Sequence, residues 1–589
     1  LRSILLAFAI ITLLPLSSRA AANLAPRNYE VQFHGPIDDD LRAQMAAVAA
    51  TVELQAQPPP ALPLLQRRID RDLQTLNSLL RSRGYYAANI RAELDSERQP
   101  LLVRFIVEPG RRYRIGSIEI LQANGPDINV GTAISAIAPG QTAAAAAILQ
   151  AQQQLLQHLG ERGFAFAQVI DRDVLVRHAS RRVDVTYQVE PGPEMQFGEL
   201  LIRGLDRVEP AVVQRHLPWQ RGQKFRASDL DRLQRRLVDT GLFTLVQVRP
   251  ASRLDADEQS LPIHVDVSEA KPRSVSLRLG YDTYEELFLA AQWQHRNLFG
   301  GGEHLQLRTH ASRLVQDLDA ILRLPGFGHP DQQLQLRLNI GIEDLEAYQR
   351  RGLETTLLLS RQLTASWRTG AGIAFRYSEV EQLGQRSYFS LVSLPLELAW
   401  DTALPELNPR RGGRHILQLT PFTSVGSAGI SFVRSEATVT RYLILRQQPQ
   451  LTLAARINFA TISGAANTDI PADERLYAGG AASIRGYAFQ SVGPTVADNP
   501  IGGRSRLLYS LELRFGIREN LSGVVFWDAG SVDSDSSPRW LRDVQHGAGI
   551  GLRYETPVGP LRLDFAVPLN RRERIDDPWH IYISVGQAF

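Results

Sequence analysis

Apolar and polar positions along this chain follow two regimes, and the change between them falls near residue 272. Before it, the period switches repeatedly. Tyr29, Val31 and Phe33 alternate as a half-buried strand does, then Leu65, Ile69, Leu73, Leu76 and Leu80 recur at three-to-four spacing, the apolar stripe of an amphipathic helix. Gly84 is placed to close that helix, and alternation returns over 88–94 and 101–107. The scheme recurs with Ile118 and Ile120, a helix over 143–159 and strands over 167–170 and 183–189. It recurs again with a strand over 197–202, a helix over 229–238 capped by Ser228, and strands over 245–248 and 263–267. Gly84-Tyr85-Tyr86, Gly163-Phe164 and Gly241-Leu242-Phe243 stand 79 and 78 residues apart, each between the helical and the strand-like stretch. Glu108-Pro109-Gly110 and Glu190-Pro191-Gly192 stand 82 apart, with Glu269-Ala270-Lys271-Pro272 in third place. Three tandem modules follow, each a strand, helices and two strands.

From Arg273 to Phe589 a period of two takes over. Val275, Leu277, Leu279 and Tyr281 share one face, and Ser274, Ser276, Arg278 and Gly280 the other. The same split sets Leu334, Leu336, Leu338 and Ile340 against Gln335, Arg337 and Asn339. It sets Ala548, Ile550, Leu552 and Tyr554 against Gly549, Gly551 and Arg553, and Leu561, Leu563 and Phe565 against Arg562 and Asp564. A soluble antiparallel sheet alternates in the same way. About sixteen such runs, arginines on the polar face and tyrosines at strand ends fit a transmembrane β-barrel better. Barrel strands need about 9–11 residues to cross, and the sheet must close because lipid offers no partner to open backbone. The last run, 581–589, puts Ile581, Ile583, Val585 and Phe589 on one face.

Composition narrows the class. The 65 Lys+Arg nearly balance 62 Asp+Glu, for a net charge of +3, and the arginines are interleaved with acids, which argues against nucleic acid as a partner. With no cysteine there is no disulfide scaffold, thiolate metal site or cysteine nucleophile. Arg2, the apolar stretch from Ile4 to Leu16 and the small residues Ser18, Ala20 and Ala22 have the order of a secretory signal peptide. The stretch is short for an anchoring helix, which needs roughly 20 residues. Zincin, serine-hydrolase, P-loop and dinucleotide motifs are missing, and His295, His304 and His310 lack ligand spacing. No enzyme, metal or cofactor is expected.

The three modules resemble POTRA domains, the β-α-α-β-β modules that stand in the periplasm before certain outer-membrane barrels. An open sheet edge on such a module can accept an extended chain through main-chain hydrogen bonds. A loop over about 463–503 contains Ala478-Gly479-Gly480-Ala481-Ala482-Ser483-Ile484-Arg485-Gly486-Tyr487. It lacks the Lys-Ser/Thr and strand-to-helix context of a phosphate loop, and resembles the Arg-Gly-aromatic loop of the barrel superfamily that assembles or translocates outer-membrane proteins. The resemblance implies that Arg485, Gly486 and Tyr487 fold back into the barrel and that Arg485 meets Glu512 and Asp528 on neighbouring strands, a structural latch. Asn297-Leu298-Phe299-Gly300-Gly301-Gly302, Pro409-Arg410-Arg411-Gly412 and Gly559-Pro560-Leu561-Arg562-Leu563-Asp564 resemble further elements of that superfamily, and the terminal Phe589 its C-terminal β-signal.

Three modules with this form of the loop most resemble TamA-type subunits of the translocation and assembly module. That implies a cell outer-membrane location, a TamB-type partner anchored in the inner membrane and docking through the POTRA modules, unfolded outer-membrane proteins such as autotransporter barrels as substrates, and outer-membrane lipid as a further partner. The expected organisation is a signal peptide over 1–22, POTRA modules over 23–110, 111–192 and 193–271, and a 16-stranded antiparallel barrel over 272–589. A weak lateral seam is expected between the strand bearing Val275, Leu277, Leu279 and Gly280 and the strand bearing Ile581, Ile583, Gly586 and Phe589, with Gly280 and Gly586 as its soft points. The alternatives are a two-partner-secretion-type pore passing an extended polypeptide through the lumen, and a passive porin, which has no use for tandem modules.

Overall fold

The computed structural model describes residues 28–123, 134–253, 259–282, 285–426, 429–538, 543–556, 559–585, 587 and 589. The expected signal peptide over 1–22 and the soft point Gly586 lie outside the described residues. The chain divides into two compact units, one of Leu1–Leu201, Trp219–Asp231 and Arg249–His264, the other of Ile202–Pro218, Arg232–Val248 and Val265–Phe589.

In the first module, the strand Tyr29–His34 pairs in parallel with Leu101–Glu108, which pairs antiparallel with Asn89–Asp95. The helix Leu62–Ser82 lays the predicted stripe on this sheet: Leu65, Ile69, Leu76 and Leu80 are buried with Val103, Phe105 and Val107, and Leu73 is half-buried beside them. Asp72, on the same helix, is buried because it caps a neighbour, accepting from the Ala50 and Thr51 backbone N–H groups at 2.9 and 2.7 Å at the start of the helix Ala50–Glu53. Gly84 ends the long helix with φ +92°.

The second module repeats the sheet order, with Arg114–Gln122 parallel to Arg182–Glu190 and Gln168–Arg177 antiparallel to it, under the helix Ala145–Glu161. In the third, Gln196–Arg203, Ser260–Glu269 and Phe243–Pro250 lie in that order, with helices Pro210–Arg215 and Ala227–Asp239. Ser228 is not the cap the sequence suggests. It lies within the helix, and its N–H and hydroxyl donate to the Glu161 carboxylate at 2.6 and 2.7 Å, so an acid from the preceding module satisfies this first turn.

From Arg273 to Val585 one antiparallel sheet runs in chain order. It has seventeen segments where the alternation predicts about sixteen. Gln385–Ser393 and Leu396–Asp401 both pair with Trp367–Gln382 on one side and Gly412–Ser424 on the other, so they fill one place in the order. The interruption is Leu394-Pro395. Proline brings no N–H to the ladder, yet its carbonyl still accepts from Gly372 at 2.9 Å.

The two faces sort by polarity. Leu336, Leu338, Ile340 and Ile342 are among a large set of exposed apolar side chains on the outer face. Inside, Arg337 pairs with Asp319 at 2.7 Å and Asn339 donates to Asp317 at 3.3 Å. An apolar exterior of this extent is a liability in water and the contact surface in a bilayer. The first strand, Arg273–Asp282, and the last, His580–Val585, approach within 8 Å Cα to Cα. Among the described residues no ladder joins them.

Candidate functional site

The loop between the strands Leu451–Ser463 and Ser505–Arg518 enters the space enclosed by the sheet, and Arg485 is its deepest charge, 1% exposed. Its Nε and Nη2 donate to the two oxygens of Asp528 at 2.6 and 3.1 Å, and Nη1 donates to Glu512 at 2.7 Å and to Asp564 at 3.0 Å. The guanidinium also lies 3.5 Å from the centroid of the Phe526 ring, where the aromatic face favours a cation. The strands Ser505–Arg518, Leu521–Asp533 and Leu561–Pro568 carry the acids on their inward faces, where period-two alternation puts Glu512, Asp528 and Asp564. The structure thus brings Arg485, Glu512 and Asp528 together.

Sequence reasoning missed the rest of the cluster. Asp564 was visible on a polar face without an assigned partner. Arg553 pairs with Asp564, through Nη1 in a short contact and through Nη2 at 3.2 Å. Arg514 holds Glu512 at 2.7 Å, and Arg562 lies 3.5 Å from Asp564. Asp528 accepts side-chain and backbone hydrogen bonds from Arg485 alone among the described residues. Three acids therefore face four arginines in a site from which water is excluded, and rigid guanidinium forks serve several carboxylates at once. The chemistry of this set is positional: each carboxylate is held by at least one guanidinium, with one positive charge in excess, and the pairs fix the loop to the strands.

Gly486 and Tyr487 complete the latch. Gly486 has φ +98°, and a Cβ there would stand 2.8 Å from the Val567 carbonyl carbon. Its N–H donates to the Tyr582 hydroxyl at 3.0 Å, which donates to the Tyr487 carbonyl at 3.1 Å. The Tyr487 hydroxyl donates to Asn570 at 2.8 Å. Opposite, Gly547 leaves room for the loop itself, since a Cβ there would fall 1.8 Å from the Arg485 carbonyl oxygen.

The expected seam residues separate into two groups. Val275, Leu277 and Leu279 lie on the outer face at 69–74% exposure, and Ile581 and Ile583 are outward too. Gly280 is covered: it pairs with Phe288, whose ring occupies the place of the missing side chain. Phe589 corrects the expected face. The strand ends at Val585, and beyond it Phe589 turns inward, its ring 4.9 and 5.5 Å from the Arg456 and Arg514 guanidiniums and its carbonyl accepting from Arg514 at 3.3 Å. In the polar interior two guanidiniums meet the aromatic face, and this draws the ring off the outer surface. Gln587 donates to Asn408 at 2.8 Å, beside the Pro409-Arg410-Arg411-Gly412 element.

Comparison with known proteins agrees with this architecture. Residues 297–589 match the Omp85 superfamily domain, and residues 113–192 match the POTRA family, described as the surface antigen variable number repeat. The outer membrane protein assembly factor BamA of Nitratidesulfovibrio vulgaris is 23% identical over 547 residues, covering 88% of this chain and 68% of that protein. That of Neisseria meningitidis is 21% identical over 604 residues, covering 89% and 73%. The solved structure of Haemophilus ducreyi BamA lacking POTRA domains 1–3 superposes with a TM-score of 0.67 at 19% identity, covering 80% of this chain and 99% of that one, which speaks for the fold. These relatives carry the name BamA where the loop motif resembles TamA-type subunits, so the shared ground is the superfamily.

Proposed function

The chain belongs to the Omp85 superfamily, an outer-membrane β-barrel with POTRA modules in the periplasm, and on that premise we propose that it assembles or translocates outer-membrane proteins without covalent chemistry. In this reading three POTRA modules and a sixteen-position barrel receive unfolded barrel proteins, autotransporters among them. A TamB-type partner anchored in the inner membrane hands over extended chains or lipid, and no cofactor takes part.

One observation carries the reading. The first and last strands meet without hydrogen bonds between them among the described residues, which leaves main-chain donors and acceptors of Arg273–Asp282 free on the side away from their partner strand. Unpaired strand edges template the addition of another strand, with little demand on its side chains. The latch serves this role by tying a long loop to the strands Ser505–Arg518, Leu521–Asp533 and Leu561–Pro568 and, through Tyr582, to the last strand itself, which steadies one side of the seam.

The chain has no native cysteine, so one cysteine on Arg273–Asp282 and one on His580–Val585 can be joined selectively. The oxidised form should stop inserting an unfolded barrel protein into proteoliposomes, and reduction should restore insertion. Full activity in the locked form would contradict the seam and favour transport of an extended chain through the lumen, the two-partner-secretion alternative.

A further inference from the structure

The loop that carries Arg485 has a second charged anchor, of opposite sign. Its one helical turn among the described residues, Ala472–Glu474, brings Asp473 and Glu474 into the interior with side chains 2% and 3% exposed. Arg350 stands 3.2 Å from Asp473, Arg376 stands 3.6 Å from Asp473 and in short contact with Glu474, and Arg434 lies 3.8 Å from Glu474. Counting the broken strand as one place from Arg273–Asp282, Arg350 and Arg376 stand on the sixth and seventh strands. The acids that hold Arg485 stand on the twelfth, thirteenth and fifteenth. The loop is therefore held by buried charge at two places, by its own acids at one and its own arginine at the other, with Arg456 and Arg506 donating to its Ala482 and Tyr477 carbonyls at 2.8 and 3.1 Å between them.

The two ties differ in quality. Every carboxylate around Arg485 accepts aligned hydrogen bonds from it. Both Asp473 oxygens, one Glu474 oxygen and Arg350 Nε are buried without an aligned hydrogen-bond partner, although the charges lie within ion-pair distance. A buried ion pair lacking hydrogen bonds recovers less of the cost of removing its charges from water. Beside this tie lies a cavity of about 480 Å³ lined by Arg434, Arg456, Asp473, Tyr477 and Arg506, room into which the loop can shift.

We propose that this loop is a two-point strap across the lumen, and that it releases at Asp473 and Glu474 first, swinging about the Arg485 latch to open an aqueous path. The inference rests on the membrane-spanning barrel and not on any client, so it stands or falls apart from the assembly reading. The test is single-channel conductance in planar bilayers, with client insertion measured on the same preparations. The D473N/E474Q variant should spend several-fold more time in a conducting state than the intact chain while keeping its folded, heat-modifiable form. E474R should open the lumen as well, and E474D, which keeps a charge toward Arg376 and Arg434, should leave it closed, which a general folding defect would not do. Conductance of D473N/E474Q equal to that of the intact chain would overturn the strap. So would an E474R variant that stays as closed as the intact chain, whatever the insertion assay reports.

Discussion

Arg485 sends four hydrogen bonds to three carboxylates, and only a guanidinium can do this, because lysine brings a point charge in place of a planar fork. Its neighbours decide what its loss costs. Arg514, Arg553 and Arg562 remain on Glu512 and Asp564 when Arg485 is removed, so Asp528 is the carboxylate left buried without a hydrogen-bonded cation. Removing one partner of such a pair costs roughly 3–5 kcal/mol. R485A should therefore lower unfolding stability in detergent by about that much, and R485K should recover only part of it. The double variant R485A/D528N should be more stable than R485A alone, since it removes the stranded charge. A double variant no more stable than the single one would show that Asp528 is not where the cost lies. The arginine and two of its acids were legible because each sat in a short motif or on the polar face of an alternating run. Asp473 and Glu474 were not, since adjacent acids in a loop without periodicity look like solvated charges until distant strands supply Arg350 and Arg376.

Among elements, periodicity named the strands and helices well, and its misses have local causes. Proline at 395 splits one strand into two segments, a missing donor that alternation does not register. Ser228 has a capping residue's chemistry, but Glu161 from the preceding module takes the free N–H. The repeated Glu at the end of each module's last strand acquires a structural role in the third. Glu269 accepts from the backbone N–H groups of Asp206, Arg207 and Val208 at 2.8–2.9 Å, pinning the turn that leads to Pro210–Arg215. Burial alone would raise its pKa, but these three donors outweigh burial and hold it below the ordinary glutamate value. A carboxylate with a depressed folded pKa stabilises fully above its unfolded pKa, near about 4.3, and that contribution is lost as pH falls through the folded value. E269Q should thus be less stable than the intact chain near neutral pH, by well under about 1 kcal/mol because solvent screens this largely exposed carboxylate, with the gap closing as pH falls through the folded value in unfolding curves taken across pH. A gap independent of pH would assign the effect to packing and not to charge.

Across the whole molecule, the sequence makes legible which face of each barrel strand is wet, but not which strands oppose one another through the lumen. Alternation is a property of one strand, whereas Arg485 to Asp564 or Glu474 to Arg376 depends on closure of the entire sheet. Phe589 shows the limit most plainly: period two carries it outward with Ile581 and Ile583, and the end of the last strand at Val585 releases it to the arginines inside. A first and last strand that no ladder joins among the described residues and a loop held inside the lumen coexist in one barrel, and the proposed assembly role draws on both. The most direct measurement is the rate at which an unfolded autotransporter barrel inserts into proteoliposomes containing the intact chain or its R485A variant, compared with empty liposomes. Acceleration by the intact chain that R485A largely loses is the expected result. Insertion no faster than into empty liposomes, or acceleration that R485A retains in full, would contradict an assembly role that depends on the latch.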